Sequence, residues 1–163
     1  MIAIPLFFVV EEKDIWLSAL VLTAFMLPVF ITDIIVDFVA STRKRRFLLV
    51  ALGYVLAGLS LVAFFINTDP IVMALCAALC TFGFQTVWAV FDIEAGMIAS
   101  KGKEAMTESA FFFAKNIGFD FAPIFFAVVI SFFGMKSPFI AFGIISLLFA
   151  LVFIIKHKSI QFK

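Results

Sequence analysis

Residues 41–66 read STRKRRFLLVALGYVLAGLSLVAFFI: four cations in a row, then no charge from Phe47 to Ile66. A helix that crosses the roughly 30 Å hydrocarbon core of a bilayer needs about 20 mostly apolar residues, and the stretch 47–66 supplies them. Four more runs qualify, at 15–40, 70–91, 108–133 (apolar from Phe111 onward) and 138–155. The 163-residue chain is 65% hydrophobic, with a mean hydropathy of +1.23. A soluble domain is roughly half apolar, so water would not keep this chain dispersed. Lipid offers backbone groups no hydrogen-bond partner, which requires each span to be a helix. The runs are also too long for barrel strands, and they do not alternate. The expected fold is an all-α polytopic membrane protein, one transmembrane domain over 1–163 with five spanning helices.

The stretch 2–10 is apolar but too short to span, and reads as the remnant of a further helix. No positive segment precedes it, and Glu11, Glu12 and Asp14 stand where a signal peptide would have its cleavage site. Charge sets the expected orientation. Arg43, Lys44, Arg45, Arg46, Lys101, Lys103, Lys156, Lys158 and Lys163 fall in alternate gaps and the C-terminal tail, against Lys13 and Lys136 on the opposite side. Loops rich in Lys and Arg stay in the cytoplasm. The first span therefore runs inward, the C-terminus is cytoplasmic, and the membrane is expected to be the plasma membrane.

The spans are not equivalent. The second, 47–66, has no charge, and the fifth has none before Lys156. Both read as helices that face lipid and shield the rest. Gly53, Ala57, Ala141 and Gly143 in them permit close helix contact. The first span carries Thr32, Asp33 and Asp37, the third Thr81, Gln85, Thr86 and Trp88, and the fourth Lys115, Asn116 and Asp120. An ionisable group inside a bilayer costs at least a few kcal/mol, so these three helices are expected to line an interior. At 1.5 Å of rise per residue, Asp120 lies roughly 14 Å above Phe111. Asn116 shares its face, one turn below. Gln85, Lys115, Asn116 and Asp120 are candidates for a substrate or proton pathway, although Lys115 is shallow enough to reach the interface. Asp33 and Asp37 share a face near the cytoplasmic end, where they can latch onto helix ends or the basic run. Pro28, Gly118 and Pro123 are candidate kinks in the lining helices, because proline removes a backbone bond. Cys76 and Cys80, four apart, read as two small core residues.

The segment Asp33-Ile-Ile-Val-Asp37-Phe-Val-Ala-Ser-Thr-Arg43-Lys44-Arg45-Arg46 resembles the loop signature of the major facilitator superfamily, roughly G-x-x-x-D-R-x-G-R-R. Asp37 matches its aspartate and Arg43 to Arg46 its basic run; Asp33 replaces the glycine, Phe38 the arginine, and the basic run comes about two residues late. Gly118-Phe-Asp-Phe-Ala122-Pro123 resembles the family's G-x-x-x-G-P pattern, with Ala122 for the second glycine. The resemblance implies the C-terminal six-helix half of a secondary transporter, truncated at its N-terminus, with the charge-free spans as the outermost helices of that half. It also implies alternating access around a midplane site. Asp33, Asp37, Arg43, Lys44, Arg45 and Arg46 would then form a cytoplasmic latch, and Asp120 could carry a proton.

The partners so implied are the lipid bilayer, a small-molecule solute, protons, and the missing N-terminal half or a second chain. A small membrane protein that scaffolds a larger complex is the alternative. With a net charge of +1, attraction to nucleic acid is not expected. No HExxH, no Gly-x-Ser-x-Gly and one histidine, His157, leave an intramembrane enzyme, a metal or a cofactor without support.

Overall fold

The computed structural model describes residues 15–67, 69–99, 102 and 104–161, so the apolar stretch 2–10 lies outside the described residues. Within them the chain forms α1 (Ile15–Val39), α2 (Arg43–Ile66), α3 (Pro70–Ile98), α4 (Glu104–Phe133) and α5 (Ser137–Gln161). All five are long and apolar enough to cross a membrane.

Several helices run past their apolar stretches, and side-chain caps set where α2 and α3 begin. α2 begins inside the basic run, not after it. Thr42 is its N-cap, and its side chain accepts a bond from the Arg45 amide at 3.3 Å. The cations are therefore its first turn. α3 starts where Asp69 accepts bonds from the amides of Ile71 (2.8 Å) and Val72 (3.1 Å), with Pro70 as first helical residue. Both devices satisfy amides that a helix start leaves open. Between α4 and α5 the chain turns at Gly134, whose φ of +88° excludes most other residues. Both α1 and α4 run through their prolines, Pro28 and Pro123, as single helices.

Packing centres on α2 and α3. α2 lies between α3 and α5, and α1 packs on α3. The α2–α3 crossing is made at Gly53 and Gly83: a Cβ on Gly53 would lie 2.7 Å from the Gly83 carbonyl oxygen, and one on Gly83 would lie 2.7 Å from the Ala57 nitrogen. On a second face, a Cβ on Gly58 would meet the Gly143 carbonyl oxygen of α5 at 2.9 Å. The close approach expected of Gly53, Ala57 and Gly143 is thus present, with Gly58 and Gly83 as its other half; Ala141 is only half-buried. The core beside these crossings holds Val21, Phe25, Leu61, Phe64, Met73, Cys76, Cys80 and Phe139.

One expectation is corrected. The charge-free second span is not a lipid-facing shield, because small residues on two faces let it approach two neighbours, and Val50, Ala51, Ala57, Gly58, Leu61 and Phe64 are buried along it. The polar fourth span instead stands at the margin, touching α3 and α5 sparingly, with none of its membrane-crossing stretch buried. Absence of charge tells that a helix can face lipid, not that it does.

Gly83→Ala should lower stability in detergent by about 1–3 kcal/mol, the usual cost of overpacking. Gly96→Ala, where an added Cβ meets nothing within 4 Å, should be neutral or gain up to about 1 kcal/mol in helix propensity. Thermal unfolding of both variants checks this, and equal behaviour would show the crossing is not tight.

Candidate functional site

At the end of the bundle that carries the basic run, one guanidinium gathers three helices. Arg46 is 6% exposed, one turn into α2. Its Nε donates to Glu94 Oε1 of α3 at 2.6 Å, and its Nη1 donates to the Ala40 carbonyl just past α1 at 3.2 Å. A helix C-terminus carries partial negative charge, so a cation is favoured there. The planar fork of arginine serves both acceptors at once, which a lysine would not do. The other members of the expected latch stay apart from this contact. Arg43 lies over the Phe47 ring at 5.8 Å, Arg45 donates to Ser41 Oγ at 3.1 Å, and Lys44 is exposed. Asp33 and Asp37 are exposed on α1, and among the described residues neither forms an ion pair with the basic run.

A cavity of about 300 Å³ opens where all five helices contribute side chains. Phe25 and Leu61 come from α1 and α2, Cys80, Phe84 and Trp88 from α3, Lys115, Gly118 and Phe126 from α4, and Phe139 and Phe142 from α5. Its rings are fixed by one another: Phe126 stacks on Phe142 with centroids 5.0 Å apart, and Phe139 tilts against Phe64 at 4.7 Å. Among the described residues, Lys115 is the charged one in this wall. Its Nζ lies 4.9 Å from the Trp88 ring centroid and 5.8 Å from that of Phe112. Attraction of the ammonium to the ring faces holds it over apolar surface. Asp33 of α1, Asp92 of α3 and Glu108 of α4 are exposed and lie outside this wall.

Of the pathway candidates, the structure places Lys115 in the cavity wall. Gln85 is half-buried on α3 outside that wall, while Asn116 and Asp120 lie together on the exposed face of α4. Gly118 lines the cavity, with open space where a Cβ would stand. The buried Thr32, Thr81 and Thr86 turn their hydroxyls back to carbonyls of their own helices, at 2.6, 3.0 and 2.8 Å. Their protons are thus used within their own helices. Sequence reasoning missed the Arg46–Glu94 pair, which joins positions 48 apart, and missed the ring set around Lys115. Trp88 and Lys115 stood out as polar residues at depth, but nothing in their spacing brings two separate helices together.

The sequence matches the family model of the Major Facilitator Superfamily over residues 1–160. No curated protein and no solved structure matches the chain.

Removing either partner of the Arg46–Glu94 contact, by Arg46→Met or Glu94→Leu, should lower stability by about 1.5–3 kcal/mol, the range for hydrogen bonds to charged groups. Asp33→Asn should stay within about 0.5 kcal/mol, as exposed substitutions do. Unfolding of the purified chain in mixed micelles measures all three. A loss at Asp33 as large as that at Glu94 would place the latch elsewhere.

Proposed function

The chain belongs to the major facilitator superfamily, a membrane-transport family, and from that premise we propose that it forms one half of an alternating-access transporter for a small solute. In this reading α1–α5 are the second to sixth helices of a C-terminal half, and the cavity at Lys115 is its share of the solute site. The observation that carries the reading is that cavity: all five helices line it, and among the described residues Lys115 is the charged side chain in its wall. Sites of this kind are concave and mostly apolar, with a few polar groups that set orientation.

The exposed face of α4 supports a second half as partner. Asn116 and Asp120 on that face would meet hydrocarbon if nothing covered them, at a cost of at least a few kcal/mol. A second helical half, from further sequence or from another chain, would bury them at a midplane interface. The same exposed face is what favours the alternative, a non-transporting protein that attaches to a larger membrane complex. At the basic end, Arg46 would hold α1, α2 and α3 as one body, while Asp33, Asp37 and the exposed cations would meet the opposite half when that side closes.

On this reading the basic loops are cytoplasmic and the protein sits in the plasma membrane. An impermeant thiol reagent added outside intact cells should then leave a cysteine at Ser41 unlabelled; prompt labelling would invert the topology. Asp120 is the proposed proton carrier. In vesicles holding the assembled transporter, Asp120→Asn should abolish solute-dependent proton flux. Flux equal to that of the parent would remove Asp120 from the mechanism.

A further inference from the structure

We propose that the five-helix cavity binds a compact aromatic monocarboxylate, with its carboxylate on Lys115 and its ring among the phenylalanines. This deepens the transport reading, from which it takes that the cavity is the solute site. The wall is ring-lined on several sides, by Phe25, Phe84, Trp88, Phe126, Phe139 and Phe142. Such a wall accepts an apolar body and gives a sugar or other polyol almost no hydrogen-bond partners. At about 300 Å³ the space is at the small end of ligand sites, which limits the body to a ring and a short arm.

The sign of the ligand's charge follows from Lys115. Its ammonium rests on the faces of Trp88 and Phe112, and an aromatic face attracts the charge without accepting its protons as an oxygen does. Among the described residues no carboxylate lies within ion-pair distance of Nζ. The exposed carboxylates Asp33, Asp92 and Glu108 lie outside the cavity wall. An arriving carboxylate would supply the acceptor that the rings lack. A cationic ligand would bring its charge against Lys115 in a medium that screens poorly.

The test uses the full chain in nanodiscs with Trp16→Phe, so that Trp88 is the remaining tryptophan and reports on the cavity by fluorescence. The probes are 3-phenylpropanoate, its neutral amide, 3-phenylpropylamine, and palmitate as the same head group on a lipid tail. A saturable response to phenylpropanoate is expected, at least tenfold tighter than to the amine, and at least tenfold weakened by Lys115→Met. The amide should bind weakly and be indifferent to that substitution. Gly118→Leu, which fills the cavity from a position with open space for a side chain, should abolish the response to phenylpropanoate. It serves as the second variant should Lys115→Met fail to fold. Equal affinity for acid and amine, or acid binding that survives both variants, would overturn the proposal. Palmitate binding more tightly than phenylpropanoate would overturn the compact solute in favour of a lipid. Carboxylate binding without uptake in vesicles would uphold this site and count against transport, whereas uptake of another solute with no carboxylate binding would sink this proposal alone.

Discussion

Where α2 crosses α3, no side chain separates the two backbones. Gly53 and Gly83 face each other so closely that a methyl on either would meet a carbonyl oxygen. In a membrane the hydrophobic effect does little to hold one helix to another, since lipid tails are as apolar as leucine. What remains is close contact over a long seam, and only residues without bulk allow it. α2 repeats the device on another face with Gly58 against Gly143, and so becomes the rod on which α3 and α5 are both mounted. α1 then hangs on α3, and the buried Arg46 closes the three ends with bonds to Glu94 and the Ala40 carbonyl.

The cavity is a consequence of this arrangement. α4 is held by ring contacts such as Phe126 on Phe142, and by Lys115 over Trp88; it does not share the glycine seams. Its loose seating leaves a space between it and the packed helices, bounded by aromatic side chains. The same seating leaves Asn116 and Asp120 uncovered. One face of α4 thus makes the site while the other calls for a partner, a division that suits a helix working between two halves.

Parts of the site were legible in sequence because charge at depth is conspicuous. Lys115 and Trp88 stood out in their spans, and Arg46 stood out at the end of a basic run. Their partners did not. Glu94 sits among ordinary end-of-helix polar residues, and Phe84, Phe126 and Phe139 are three of 25 phenylalanines, most of which have reason enough to exist in contact with lipid. Asp120 drew the strongest reading from depth alone, yet it lies five positions from Lys115, around 140° away on a 3.6-residue helix, and so points elsewhere.

Length and hydropathy, read along the chain, determined that residues 15–155 cross a membrane as five helices, because the thickness of a bilayer and the demands of backbone hydrogen bonds leave no other solution. Two short motifs pointed to the family. Which helix sits inside and which at the margin was decided only by tertiary structure. Helices sort in lipid by how closely their backbones can approach, and a glycine shows that it belongs to a seam only when the glycine across from it is in place.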